Sequence, residues 1–190
     1  MNDKMITVVS GLPRSGTSMM MMMLQAGGMA ILTDNIRQAD DDNPKGYYEF
    51  ERVKEIEHDK IWLPLAQGKA VKMISVLLRH LPDEYQYKVI FMRRKMEEIL
   101  ASQRKMLIRR GEDPDAVSDE KIAAISRKHL QKVDMWLSEQ EYIDVLYVRY
   151  GDVLTDSRAQ ATRISRFLDD CVDPKRMAQA VDERLYHQRA

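Results

Sequence analysis

The stretch Met5-Ile-Thr-Val-Val-Ser-Gly-Leu-Pro-Arg-Ser-Gly-Thr-Ser18 constrains the fold more than any other part of the chain. Met5 to Val9 is a short apolar, β-branched run, the pattern of a buried parallel strand. Gly11, Pro13 and Gly16 punctuate it, and a helical run begins at about Thr17 and continues through Met19 to Leu24. A loop that opens a helix leaves backbone N–H groups unpaired, and the helix dipole adds positive potential at the same place. Such a place takes an anion, usually a phosphate. Arg14 adds a fixed positive charge, and Thr17 and Ser18 add hydroxyls. Gly11 and Gly16 have the glycine spacing of the nucleotide-binding loop G-x-x-x-x-G-K-[ST], with Ser18 at its hydroxyl position. Thr17, however, stands where that loop has a lysine. The lysine reaches the β- and γ-phosphates, so its loss counts against an ordinary kinase or NTPase.

Beyond this stretch, strand and helix patterns alternate. Short apolar runs at Met29–Leu32, Ala70–Ile74, Lys88–Met92 and Ile143–Val148 read as strands. Helices are expected over Glu51–Leu63, Met96–Arg109, Ser118–Gln140, Ser157–Leu168 and Pro174–Leu185, and Gly27-Gly28 ends the first one. The alternation predicts an α/β fold: a P-loop-like three-layer domain with a mostly parallel central sheet flanked by helices. Its ligand should lie at the carboxyl ends of the strands. A chain of 190 residues is expected to form one domain over residues 1–190.

Lys plus Arg number 30 and Asp plus Glu number 30, so no global field favours nucleic acid or an acidic membrane as a partner. A single cysteine, Cys171, excludes an intrachain disulfide framework and fits a reducing compartment. Met1-Asn-Asp-Lys4 leads directly into the first strand without a small-residue cleavage site, and no apolar run is long enough to span a bilayer. A cytoplasmic location is therefore expected. The five methionines Met19 to Met23 are read as gap-filling core residues. Asp40-Asp41-Asp42 lacks the spacing of a calcium loop, and His129 has no companion at metal spacing, so no metal is expected. Lys72 is a charge inside an apolar run, which is costly unless it has a partner or a task.

Several segments resemble one family. Pro13-Arg14-Ser15-Gly16-Thr17-Ser18 resembles the 5′-phosphosulfate loop of the sulfotransferases, which holds 3′-phosphoadenosine-5′-phosphosulfate (PAPS). Its arginine form is similar to that of the tyrosylprotein sulfotransferases and many bacterial members. Asn43-Pro-Lys-Gly-Tyr-Tyr-Glu49 resembles an Asn-Pro-x-Gly-Tyr/Phe-x-Glu segment of bacterial relatives. Val71-Lys72-Met73-Ile74, followed by Leu81-Pro82, resembles the segment whose lysine reaches the transferring sulfonate. Many cytosolic members have a histidine base two residues after that lysine; here Ile74 takes that position, and His80 is expected to point elsewhere. Arg94 and Ser102, eight residues apart, resemble the 3′-phosphate segment. Arg93 competes for that assignment, but eight residues beyond it lies Ala101, which has no donor. Tyr150-Gly-Asp-Val-Leu154 resembles the Tyr-Glu-Asp-Leu segment after the last strand, with Gly151 in place of the glutamate. The Arg-Lys-Gly segment that completes the 3′-phosphate site in cytosolic members is absent.

The resemblance implies transfer of a sulfonate from PAPS to a hydroxyl or amine of a small-molecule or peptide acceptor. Arg14, Ser15, Gly16, Thr17 and Ser18 would hold the phosphosulfate, and Lys72 would stabilise the transferring oxygens. Arg94 and Ser102 would select the 3′-phosphate. The acceptor proton would go to Asp34 or Glu49, with Asp34 slightly favoured by its distance from Arg14. Either carboxylate equally suits a plain capping role in a loop. Two rival readings are a P-loop kinase or NTPase and a non-catalytic nucleotide-binding module.

Overall fold

The structure, a computed structural model, describes residues 5–34, 36 and 46–181. Five strands form one sheet: β1 (Met5–Gly11), β2 (Ile31–Leu32), β3 (Ala70–Lys72), β4 (Gln86–Arg93) and β5 (Ile143–Arg149). Their order is β2-β3-β1-β4-β5 and every pairing is parallel. The central position of β1 explains its composition. Val8 is paired with Val71 on one side and Val89 on the other, and Ile6 through Gly11 are all buried. A strand covered on both faces has no use for polar alternation.

Successive side chains point to opposite faces, which builds two cores. On one face Ile6, Val8, Val71, Val89 and Phe91 pack with Trp62, Ile56 and Leu78 and with Val133 and Leu137 of α4 (Asp119–Ser138). On the other, Val9, Ala70, Ile90 and Met92 pack against α1 (Thr17–Ala26), α6 (Ser157–Phe167) and α7 (Pro174–Gln179). Met20, Met21 and Met23 are fully buried there. The methionines are core, and their unbranched thioethers fill the irregular space between α1, the sheet and α7. The three-layer α/β architecture expected from the alternation is the observed one.

Element ends differ from the sequence reading where local polar groups intervene. The helix expected over Glu51–Leu63 is two short pieces, a 3₁₀ turn at Glu51–Glu55 and α2 (Leu63–Ala66). Asp59 stands in the gap: its Oδ1 accepts the Ile61 N–H at 3.0 Å and its Oδ2 accepts from Arg52 at 2.7 Å. This Asx turn gives the backbone an alternative to helical pairing. Pro64, in the first turn of α2, has no N–H with which to continue an earlier helix. Ile61, counted toward an apolar face, is 82% exposed.

Strand β3 ends at Lys72 rather than Ile74, because the chain turns into a 3₁₀ helix at Ser75–His80. The last helix ends at Gln179, short of the expected Leu185, and residues 182–190 lie outside the described residues. So does Asp40-Asp41-Asp42. One helix was not expected, α5 (Tyr150–Thr155), which follows β5 directly. Helix α3 (Met96–Arg109) has the expected limits. Ser118 caps α4, accepting the Lys121 N–H at 3.4 Å.

Among the described residues no helix is long and apolar enough to cross a membrane, and no three His, Cys, Asp or Glu side chains gather as a metal site. His129 lies 2.8 Å (Nε2) from the Oγ of buried Ser75, joining α4 to the 3₁₀ helix that follows β3. Burial pushes its pKa below the ordinary histidine value, with help from the positive charges of Arg79 and Lys132. A group with a depressed folded-state pKa binds protons more readily when unfolded, so its contribution is intact above the ordinary histidine pKa and fades as pH falls. Thermal midpoints measured from pH 8 to pH 5 are expected to fall more steeply for the wild-type protein than for His129→Gln. Parallel curves would show that the imidazole is not held neutral.

Candidate functional site

The loop Leu12–Gly16 joins β1 to α1 at the carboxyl edge of the sheet. Two close approaches fix its path. A Cβ on Gly11 would lie 2.5 Å from the Ser15 Oγ and 2.7 Å from the Met92 carbonyl oxygen of β4. A Cβ on Gly16, whose φ is +99°, would lie 2.4 Å from the ring of Tyr150. Arg14 also adopts a left-handed conformation, with φ at 69°, which a non-glycine residue keeps only when its surroundings hold it.

Those surroundings are specific. The Arg14 Nε donates to the Ser102 Oγ of α3 at 2.8 Å. The Arg14 carbonyl accepts from Nη1 of Arg94 at 3.1 Å. Arg94 is itself fixed on three sides: Nε donates to the Glu98 carboxylate at 2.9 Å, and the guanidinium lies 4.3 Å from the Tyr150 ring centroid. The Arg94 and Glu98 side chains are 9% and 7% exposed, so this is a buried ion pair. The structure thus brings Arg14, Arg94 and Ser102 together, and adds Glu98 and Tyr150 behind them.

In front of this support the loop is unsatisfied in the way an anion site must be. Among the described residues no side chain caps the N-terminus of α1. The Ser15 Oγ is buried and has no hydrogen-bond partner among the described residues, although its N–H donates to the Leu12 carbonyl at 3.2 Å. Thr17 and Ser18 open the helix. Lys72 closes the other side from β3. Its Nζ donates to the Tyr47 carbonyl at 2.6 Å, and it lies 3.5 Å from the Ser18 Oγ and 3.4 Å from Glu49 Oε1. Its ammonium also sits 5.7 Å from the Tyr47 ring centroid. The charge inside the apolar run therefore has partners at the helix start and in the Gly46–Glu49 segment.

The two carboxylates proposed as bases stand differently. Both oxygens of Asp34 accept backbone N–H groups, Oδ2 from Glu51 at 2.6 Å and Oδ1 from Ile36 at 3.0 Å. Asp34 thereby holds the 3₁₀ turn and the chain after β2. Glu49 faces Lys72, with its side chain 19% exposed. His80 meets Arg79 and Glu57, away from Lys72. Sequence reasoning missed Glu98 and, although it marked the segment that Tyr150 opens, gave Tyr150 no place beside Arg94. Glu98 had a readable signal, since it is an acid in the first turn of the helix expected from Met96, close in sequence to the arginine at the preceding strand end. Tyr150 had none, because its contact with Arg94 depends on two adjacent strands ending side by side.

With this geometry in place, comparison with known proteins places the chain. A family model described as "Sulfotransferase domain" matches residues 5–188. The chain belongs to the sulfotransferase domain family, a family of transferases. A solved structure, "Sulfotransferase Domain from the Curacin Biosynthetic Pathway", superposes with a TM-score of 0.54 at 13% sequence identity, over 93% of this chain and 77% of the other. At that identity the match speaks for the fold. No curated protein sequence matches the chain.

Removing one partner of a buried ion pair leaves the other charge uncompensated, at a cost of about 3–5 kcal/mol. Glu98→Ala is therefore expected to lower unfolding free energy on that scale, by denaturant titration. Asp59→Ala, which removes the solvent-exposed Arg52–Asp59 pair, should cost far less from the ion pair itself. Equal losses would place Arg94 outside the loop's support.

Proposed function

We propose that the chain transfers a sulfonate from PAPS to a hydroxyl or amine acceptor. The observation that carries this reading is the Leu12–Ser18 loop. Among the described residues its buried Ser15 Oγ has no partner and no side chain caps its helix, and Lys72 stands 3.5 Å from the Ser18 Oγ. These groups fit the phosphosulfate end of the donor: oriented N–H groups, hydroxyls and one ammonium, with Arg14 held alongside. The donor supplies an activated sulfonate, whose transfer calls for positioning and neutralised charge more than covalent help from the protein.

On this reading Lys72 neutralises the oxygens of the transferring group and Ser15 to Ser18 fix its position. Arg94 and Ser102 are the proposed contacts of the 3′-phosphate. Because both also hold Arg14, one set of side chains links the two anionic ends of the donor. For the acceptor proton, Glu49 is favoured over Asp34. The Asp34 oxygens are engaged with backbone N–H groups, whereas Glu49 lies beside Lys72, where the acceptor oxygen would approach. A positioned carboxylate of this kind contributes about 10²–10⁴-fold to rate.

Titration of the purified protein with 3′,5′-ADP and with ATP tests the donor. Preference for 3′,5′-ADP without magnesium is expected, and tight magnesium-dependent ATP binding would favour the kinase reading instead. Arg94→Ala should weaken 3′,5′-ADP more than 5′-AMP, and equal weakening would remove Arg94 from the 3′-phosphate. Loss of a preorganised donor typically costs about 2–4 kcal/mol of transition-state stabilisation. That is the drop in kcat/KM expected for Arg14→Ala with an accepting substrate. Glu49→Gln should lower kcat while leaving 3′,5′-ADP affinity intact, and Asp34→Asn should act mainly on stability. The reverse pattern would restore Asp34 as the base.

A further inference from the structure

A second charged site lies at the same edge of the sheet, built from residues that the loop does not use. A cavity of about 820 Å³ opens beside β5, lined by Arg93, Asp134, Tyr147, Arg149, Asp152 and Arg163. That volume is within the range of small-molecule sites. Its lining divides into two walls with different chemistry.

One wall is already organised. Arg93, the last residue of β4, forms an ion pair with Asp134 of α4 and stacks between Phe91 and Tyr147, 4.6 and 4.9 Å from their ring centroids. The Tyr147 hydroxyl donates to Asp134 Oδ1 at 3.0 Å. This wall is internally neutral, its charges paired and its rings in contact. Arg93 is thus committed to the opposite direction from its neighbour Arg94.

The other wall is not neutralised. Arg149 ends β5, Asp152 lies on α5 and Arg163 on α6, and all three are exposed. Arg149 has no side-chain partner among the described residues, and Arg163 has only a 3.5 Å contact with Gln160 of its own helix. Two guanidiniums from different elements thus line one cavity, and Asp152 is the carboxylate that lines it with them. Guanidinium binds oxyanions through parallel N–H donors and keeps its charge at any working pH. Asp152 repels a bare anion but accepts from a hydroxyl or amine. The combination selects a ligand that carries an oxyanion next to hydroxyl donors.

We propose that this cleft is a binding site for a small hydroxylated organic anion, with the chemistry of a sugar phosphate, sugar sulfate or uronate. Arg149 and Arg163 hold the oxyanion, Asp152 accepts from a neighbouring hydroxyl, and the Arg93–Asp134–Tyr147 wall is the fixed surface against which the ligand lies. The site stands on its own residues and does not require the sulfonate-transfer reading.

The test is calorimetric titration of the full chain at low ionic strength with glucose 6-phosphate, glucuronate and uncharged glucose. At least one of the two anions should bind, weakening as salt is added, and glucose should not. The exposed double variant Arg149→Gln/Arg163→Gln should weaken that binding at least tenfold while leaving 3′,5′-ADP affinity unchanged. Arg14→Ala should leave the sugar anion's affinity intact, because the loop is a separate place. The proposal is overturned if neither anion binds, if glucose binds equally well, or if Arg14→Ala abolishes the binding. It is also overturned if the double variant loses 3′,5′-ADP in step with the sugar anion, which would make the cleft part of the nucleotide site. Failure of 3′,5′-ADP to bind the wild-type protein would count against sulfonate transfer and leave the cleft proposal standing.

Discussion

The site depends on the buried Arg94–Glu98 pair. A guanidinium and a carboxylate taken out of water lose solvation that their mutual attraction alone need not restore. Here further contacts complete the arrangement: the Arg14 carbonyl accepts from Arg94, and the Tyr150 ring lies against its plane. The buried charge therefore ties three separate elements together, the end of β4, the first loop and the start of α5. It holds Arg14 in a left-handed conformation that a non-glycine residue does not adopt unaided. The anion-binding geometry at the front of the loop follows from a charge placed behind it.

Much of the fold was legible in the sequence, for a physical reason. A parallel strand buried on both faces is written as a continuous apolar run, so β1 and β4 stood out; β5, at the edge and partly exposed, showed as a β-branched and aromatic run instead. Helix α3 was readable to its limits because its apolar spacing runs unbroken between charged ends. The failures cluster where one polar side chain diverts the backbone. Asp59 broke the helix expected after Glu51, and the sequence there carries the same apolar spacing as a real helix. The short α5 escaped because its residues resembled a motif rather than a periodicity.

The site was legible in part. Glycine spacing and Arg14 marked the loop, since both answer to backbone geometry near the residues themselves. The pairing of Arg14 with Ser102 joins residues far apart in sequence and depends on β1 and β4 lying side by side. The two carboxylates illustrate the same limit. Asp34 and Glu49 looked alike as loop acids, and what separates them is which backbone N–H groups happen to lie within reach.

The sheet order has a consequence for how this protein comes into being. β1 precedes both of its neighbours: β3 is complete at Lys72 and β4 only at Arg93, so β1 is not paired on both sides until the chain has been synthesised through Arg93. Until then the strand has one open edge, and the methionine-rich helix lacks the part of its cover that β4, α6 and α7 supply. Non-local parallel pairing of this kind is slow to form and exposed to aggregation while it waits. The strand that leads into the ligand-binding loop thus depends for both of its edges on segments that follow it in the chain.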